Sequence, residues 1–600
     1  STQHFKLSFR ERGRCSMSSE RTFRLLLWLT GIPVVALFAL ALSQPSEGTR
    51  LASLSEALEN PLALRPTAET PRLLTVLLLL YGASAIGIEG TRPHLRSGAE
   101  HGSARWGNPR SVCKEFVQAG INNLLLTQSV YLGLDSRRHR RNLNVLVVGG
   151  SGSGKTRFYA KPNLLQCNTS YVITDPKGEL LRDTGSLLQA KGYRIRVLNL
   201  VDFSSSDGYN PFAYIRDEKD VLKLVTNLIR NTTPRSASSS DPFWEKSETA
   251  LLEALLFYLR SEAPEEEQNF SMVLTMLEYA DVHEEDEDRR SPLDLLFEAL
   301  EREQPDHIAV RQYKVFKLAA GRTAKSILVS LAVRLAAFNL RQIQLLTKRD
   351  ALEIGLLGQE KTALFAVIPD NDTSFNYLVG MLYTQIFQEL YYLADHVYGG
   401  RLPVHVHFLL DEFANVSLPE EFDKCLATMR SREISASILI QNLAQLKGLF
   451  KEHGWETIVG NCDTFLYLGG NEASTHEYLS KLLGKETIDT QSHGLSRGRN
   501  GSSSVNTQTA ARDLLSPDEV RLLDNQDALL FLRGARPVRD KKYDLTRHPN
   551  YAHTADGAGA PYKHVPAPSF LEVDDFEFLE TTDEGGFEDE QTTEEIPFQA

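Results

Sequence analysis

The sequence predicts an α/β fold built on a mostly parallel, doubly wound sheet, and three observations predict it. A strand-like run, NLNVLVV (142–148), leads into Gly149-x4-Gly154-Lys155-Thr156 and then a helix-compatible stretch. Further apolar runs recur between helical segments: YVIT (171–174), RIRVLNL (194–200), TALFAVI (362–368), VHVHFLL (404–410), SASILI (435–440), DTFLYL (463–468) and ALLFLR (528–533). Strands that alternate with helices favour parallel pairing with helices on both faces. The third observation is a long helical stretch, 216–345, set between strands 194–200 and 362–368.

The front of the chain reads as a transmembrane helical hairpin. Residues 25–42 are eighteen without a charge and 73–88 are sixteen more. A spanning helix needs about 20 mostly apolar residues, so the first qualifies and the second lies at the short edge. A cleaved signal peptide competes for the first segment, but a second apolar run close behind favours a hairpin. Six Lys and Arg precede residue 25, and Arg92, Arg96, Arg105, Arg110 and Lys114 follow the second run. The loop between holds Arg50, Arg65 and Arg72 against four Glu. Positive-inside reasoning puts both ends in the cytoplasm, giving a multi-pass cell-membrane protein with its short loop outside. Met17 is a second candidate for the start.

These readings divide the chain into a cytoplasmic segment 1–24, two spans at 25–90, a nucleotide-binding domain at 91–215 and 346–550, an all-α insertion at 216–345, and a tail at 551–600. In the insertion, Val221, Leu222, Leu224, Val225, Leu228 and Ile229 fall on one helical face. An acidic loop, HEEDED (283–288), interrupts it. The stretch 493–509 is Gly/Ser-rich and reads as a mobile loop.

The net charge of −13 is concentrated: residues 571–600 hold twelve Asp and Glu and no Lys or Arg, which leaves −13 + 12 = −1 for the rest. Such a run is a solvated, disordered tail by default. Interleaved phenylalanines and long-range attraction make docking of basic accessory proteins the functional alternative. Five scattered cysteines with no CxxC pair argue against a disulfide framework or a zinc site. His405 and His407 alternate along an apolar run, as one face of a strand would.

The first motif, Gly149, Gly150, Ser151, Gly152, Ser153, Gly154, Lys155 and Thr156, has the strand–loop–helix context of a phosphate-binding loop. Its glycines let backbone N–H groups close round a phosphate, Lys155 can reach the β- and γ-phosphates of ATP, and Thr156 can ligate Mg²⁺. Asp411 and Glu412 end the apolar run 404–410. Asp411 would hold the metal at a strand tip beside the loop, and Glu412 would orient and deprotonate water; capping of a following helix is the bland alternative. Gln441, just past strand 435–440, is either a γ-phosphate sensor acting through water or a solvated loop residue.

In chain order the phosphate loop, TDPKGELLRDT (174–184), YNPF (209–212), DPFWEKSE (241–248), DEFANV (411–416), MRSREIS (429–435), QNLAQLK (441–447) and YLSKLLGKETID (478–489) resemble the VirD4/TraG family of type IV secretion coupling proteins, of the Gram-positive conjugative kind. The resemblance covers roughly 20–550. It implies a RecA-like P-loop ATPase with an all-α domain, anchored by two spans and assembled as a homo-hexameric ring. Such a ring passes single-stranded DNA, with its attached relaxase, to the secretion channel subunits. It makes Lys155 and Thr156 the Walker A pair, and Asp411 and Glu412 the Walker B pair. Arg430 matches a basic position proposed to act across the subunit interface, with a solvated helix end and the neighbouring Arg432 as rivals.

Two other functions compete. An FtsK-like double-stranded DNA translocase predicts more spans and a basic winged helix, and the acidic tail speaks against it. A membrane docking receptor for protein cargo with little ATP turnover is harder to separate, although the full set of Lys155, Thr156, Asp411 and Glu412 argues for turnover.

Overall fold

The computed structural model describes residues 11–44, 64–90, 99–233, 242–280, 290–496 and 502–567, apart from 320, 370, 371, 373, 418, 420 and 451–453. Three expectations above fall outside them: the external loop for the most part, the acidic loop 283–288, and the tail from 568 onward. The chain forms two units, Ser1–Glu100 and His101–Ala600.

In the first unit, helices Glu11–Leu42 and Thr70–Gly90 run antiparallel. Trp28 meets Tyr81 edge-on at 5.4 Å, the Tyr81 hydroxyl donates to the Trp28 carbonyl at 3.0 Å, and the Ser43 and Thr70 hydroxyls pair at 2.7 Å. Thr70–Ile88 is long and apolar enough to cross a bilayer, because the helix begins before the apolar run, and the first helix carries the apolar stretch Leu26–Leu42.

In the second unit thirteen strands are described. They are β1 (Asn123–Leu125), β2 (Tyr131–Gly133), β3 (Val145–Val148), β4 (Ser170–Asp175), β5 (Arg194–Asn199), β6 (Thr362–Val367), β7 (Val406–Leu410), β8 (Ile434–Ile440), β9 (Thr464–Tyr467), β10 (Lys485–Ser496), β11 (Ser502–Asp513), β12 (Asp527–Leu532) and β13 (Val538–Lys541). Nine of them make one sheet in the order β13-β12-β9-β3-β8-β7-β4-β6-β5. The seven strands from β9 to β5 are parallel, and β12 and β13 add an antiparallel edge.

Both faces of the sheet are buried, which is why its strands read as unbroken apolar runs. Alternate residues of β3 serve two cores: Leu146 and Val148 enter one, Val145 and Val147 the other. No strand lies among the described residues between β5 and β6. Helices there, among them Glu218–Thr232, Pro242–Glu262, Phe270–Glu278 and Gly321–Leu335, share the first core with the sheet. Phe270 stacks on Phe338 at 4.3 Å and Phe297 on Tyr313 at 4.0 Å inside this layer. Its helices start on side-chain caps, such as Asp217 and the Ser291–Asp294 capping box.

Two stretches differ from the sequence reading. The Gly/Ser-rich stretch 493–509 is for the most part a two-stranded ribbon: β10 and β11 pair antiparallel from Lys485↔Asp513 to Ser496↔Ser502. Its threonines supply β-propensity that the glycine and serine content obscured. Residues 551–567, assigned above to the tail, pack on the sheet's helices. Tyr562 lies against Gly185, its N–H donates to the Arg182 carbonyl at 2.8 Å, and His564 contacts Asp207 at 3.0 Å.

Candidate nucleotide site

The loop after β3 is shaped by its glycines. Gly152 (φ +75°) and Gly154 (φ +84°) take left-handed backbone, and a side chain on Gly149 would strike the Ser153 hydroxyl. The loop is pinned at its root by two backbone bonds from different strands: Gly149 N–H to the Ile440 carbonyl (3.0 Å) and Gly150 N–H to the Gly469 carbonyl (2.9 Å). Beyond it, Thr156–Ala160 forms a wide π-type turn that continues as the α-helix Lys161–Leu165.

Five of the predicted residues converge at the carboxyl edge of the sheet. Thr156 Oγ1 donates to Asp411 Oδ2 at 2.8 Å. Buried Lys155 donates from Nζ to the Gly149 carbonyl at 3.0 Å and lies 3.5 Å from Glu412 Oε1. Gln441 Nε2 donates to Glu412 Oε2 at 3.1 Å. Glu412 sits in left-handed backbone (φ +45°), an unusual conformation for a residue with a Cβ, and its N–H donates to Asp411 Oδ1 at 3.0 Å. Burial pushes the Asp411 carboxyl above its usual range, and the Thr156 hydrogen bond opposes that shift.

Strand order decides how these pieces meet. The Asp411 strand is not beside the loop strand, because β8 lies between β3 and β7. Gln441 follows that intervening strand, so it enters the site between the loop and Glu412. Thr156 bridges the gap because it opens the helix rather than the loop.

The sequence reading missed three neighbours. Asp175 ends β4, which pairs in register with β7 (Thr174↔Leu410), so Asp175 is brought alongside Asp411. Burial pushes its carboxyl up to about 6, with Asp411 adding to the shift and a bond from Leu181 N–H at 2.8 Å opposing it. The motif TDPKGE contained it, but nothing in the sequence gave its register. Lys542, buried beyond β13, donates to the Ser153 carbonyl at 2.9 Å and lies 5.3 Å from the Phe158 ring centre. The second of two adjacent lysines, 387 positions past Lys155, carries no sequence signal of its own. Third, Tyr467, Gly470, Glu472 and Thr475 join Gly150, Ser151 and Gln441 around a cleft of about 250 Å³.

Arg430 is not in this cluster. It lies on the turn Met429–Arg432 that precedes β8 and donates to the Ser136 carbonyl at 2.9 Å. The seven residues of β8 separate it from Gln441, roughly 20 Å of strand. Arg432 forks onto Asp395 at 2.9 and 2.7 Å instead. The two histidines read as strand residues are structural: His407 is buried between the Ser435 and Ser437 hydroxyls at 2.7 and 2.8 Å, and burial lowers it to about 3.

The residues fit a nucleotide and a divalent cation. The Ser153 hydroxyl is buried with no hydrogen-bond partner at the loop, Gly152 faces open space, and a hydroxyl and a carboxylate already meet where oxygen ligands are needed. A strand, a glycine loop closed by lysine and a helix, with a carboxylate pair two strands away, define a P-loop nucleotide-binding protein of the α/β class.

The family is equally defined. Residues 111–552 match the model of the type IV secretory system conjugative DNA transfer family, and the chain belongs to that family. It is 24% identical over 411 residues to protein VirD4 of Rhizobium radiobacter, covering 66% of this chain and 56% of that protein. It is 26% identical over 462 residues to conjugal transfer protein TraG of Escherichia coli, covering 70% of each. The chain thus spans 56–58% of the length of the VirD4 relatives it matches. Among solved structures, the unbound bacterial conjugative coupling protein TrwBΔN70 superposes with a TM-score of 0.54 at 17% identity, over 74% of this chain and 92% of that one. TrwB in complex with ADP and Mg²⁺ gives 0.53 at 16%, over 73% and 92%. The fold, a large mostly parallel sheet flanked by helices, is that of TrwB.

Proposed function

We propose that this chain is a membrane-anchored ATPase that couples relaxase-bound single-stranded DNA to a type IV secretion channel and drives conjugative transfer. The observation that carries the reading is the joined set Lys155–Glu412–Gln441 and Thr156–Asp411, drawn from three separate stretches of sequence. A protein that only docked cargo would have no use for a carboxylate steered by two other side chains.

Thr156 and Asp411 would hold Mg²⁺, which neutralises charge that develops on the phosphates. Lys155 holds Glu412 until nucleotide binds and then moves to the phosphates, exchanging one anionic partner for another. Glu412 then accepts the proton of the attacking water, with Gln441 fixing where its carboxylate points. The loop N–H groups supply the remaining positive potential. Arg430 faces away from its own site, which suits a role in a neighbour's site within a homo-hexameric ring. The helices of 216–345 serve as the family's all-α domain, and the two N-terminal helices as the anchor.

The test is ATP hydrolysis by the full chain in lipid, with and without single- or double-stranded DNA. Stimulation by single strands that Lys155→Ala abolishes supports the coupling motor. Stimulation by double strands alone would favour the translocase reading, and no turnover under any condition would favour the docking receptor.

A further inference from the structure

Gln441 reaches Glu412 from a short turn, 441–442, that joins β8 to the helix Leu443–Leu449. Where its side chain arrives therefore depends on what holds that turn. On the strand side, the Ile440 carbonyl that ends β8 accepts the Gly149 N–H of the phosphate loop. On the helix side, the Gln441 N–H donates to Gln445 Oε1 at 2.9 Å, and Asn442 Oδ1 accepts the Gln445 N–H at 3.0 Å. A further tie comes from a later part of the chain. The Leu443 N–H, one of the donors that a helix leaves free in its first turn, donates to Thr475 Oγ1 at 3.1 Å.

Thr475 is 2% exposed and stands in the first turn of helix Ala473–Leu483. Its hydroxyl has one proton to give and two lone pairs to receive. The proton goes to Glu472 Oε2 at 2.5 Å, the length of a charge-assisted bond. Glu472 also accepts the Ser474 N–H at 2.8 Å and the Thr475 N–H at 2.9 Å. Burial pushes this carboxyl up, but the bonds from Thr475 and Ser474 outweigh it and hold it down at about 2. Glu472 is thus ionised near neutral pH and can only accept. That commits the Thr475 proton to Glu472 and leaves an oxygen lone pair for the Leu443 N–H.

The next residue braces the opposite wall of the cleft. His476 Nε2 lies 3.1 Å from the Gly470 carbonyl, and the neighbouring Gly469 carbonyl accepts the Gly150 N–H of the phosphate loop at 2.9 Å. Adjacent residues of one helical turn hold the Gln441 turn on one side and the strand tip beside the loop on the other.

We propose that Thr475, oriented by Glu472, is a positioning residue for hydrolysis: it sets the turn after β8 so that Gln441 meets Glu412. This role rests on the ATPase reading above. It bears on the rate and not on nucleotide affinity, because the bonds that pin the loop to Ile440 and Gly469 do not pass through Thr475.

The test is a double-mutant cycle on the full chain in lipid, with kcat and KM for ATP measured in the DNA condition that gives the highest wild-type rate. Valine has the shape of threonine without its hydroxyl, so Thr475→Val strands the buried Leu443 N–H. It should lower kcat about fivefold, the size of one lost buried hydrogen bond, with KM within about twofold of wild type. Thr475→Ser returns the hydroxyl and should recover most of the loss. In a Gln441→Ala background Thr475→Val should cost nothing further, because the side chain it positions is gone. Glu472→Gln keeps an amide oxygen to cap the helix and should repeat the pattern at about two- to threefold, which decides the matter if Thr475→Val does not fold. Equal losses with and without Gln441, a rise in KM at unchanged kcat, or variants as fast as wild type would overturn the positioning role alone. A wild-type chain that turns over no ATP in any condition would overturn the ATPase reading and this role with it.

Discussion

Thr156 donates a 2.8 Å hydrogen bond to Asp411 from 255 positions earlier in the chain. The bond crosses β8, since the strand that carries Asp411 does not adjoin the strand that carries the loop. It therefore fixes the distance between the two halves of the site. Thr156→Ala or Asp411→Asn should lower steady-state ATP hydrolysis by at least about 100-fold, the size of a lost charge-stabilising contact. Nucleotide binding measured without Mg²⁺ should change no more than about threefold. Phosphate release titrated with Mg²⁺ separates the two effects.

Glu412 is held at both oxygens, by Lys155 at 3.5 Å and Gln441 at 3.1 Å, on a left-handed backbone. That backbone costs on the order of 1 kcal/mol, so neighbours must over-determine it. Glu412→Gln keeps shape and removes the base: ATP should still bind, while turnover falls about 100- to 10,000-fold. Gln441→Ala only loosens the carboxylate and should cost about tenfold. Single-turnover hydrolysis beside equilibrium binding of a fluorescent nucleotide checks both.

Lys542 donates to the Ser153 carbonyl. In a trans peptide the carbonyl and the next N–H point in opposite directions, so this bond also aims the Gly154 N–H away from Lys542. That N–H is one a loop of this kind turns toward phosphate. Lys542→Met should weaken ATP binding about tenfold, with the rate at saturating ATP within about twofold of wild type. A fall in maximal rate with unchanged affinity would refute the positioning role.

Much of this site was legible because its chemistry is local. Gly149–Thr156 and the pair Asp411–Glu412 are contiguous words, and the apolar runs before them are long enough to be strands. Strand order is not local. Nothing in the runs 142–148, 404–410 and 435–440 says that the third lies between the other two, so Gln441 was left open between sensor and loop. Asp175 and Lys542 depend wholly on register and on a return of the chain after 380 residues or more. The β10–β11 ribbon was hidden for another reason. Its strands pair with each other and not with the main sheet, so no apolar face marks them.

His407 supplies a pH prediction. Burial between two serine hydroxyls lowers it to about 3, from an unfolded value near 6.5. The folded state therefore binds fewer protons than the unfolded chain below pH 6.5, and stability falls as pH drops from there toward 3. The slope is about 1.4 kcal/mol per unit. His407→Gln keeps two polar contacts without a titrating ring. Its deficit relative to wild type should shrink by about 2 kcal/mol between pH 7 and pH 5. Urea unfolding at the two pH values measures this, and a constant gap would show that His407 is protonated in the fold.

Arg430 stands about 20 Å of strand from its own Gln441 and donates to the Ser136 carbonyl of its own chain. If it serves only as that tie, Arg430→Ala should lower the melting temperature and leave turnover per folded molecule unchanged. If it stabilises charge in a neighbour's site, Arg430→Ala should bind ATP normally and lose about 1000-fold in turnover. Mixing decides between them. Lys155→Ala lacks its own site but keeps Arg430, and Arg430→Ala has the complementary defect. Our reading expects the mixed assembly to regain hydrolysis that neither variant shows alone, because some interfaces join an intact site to an intact arginine. Equal inactivity of the mixture and of both variants would return Arg430 to a role within its own chain.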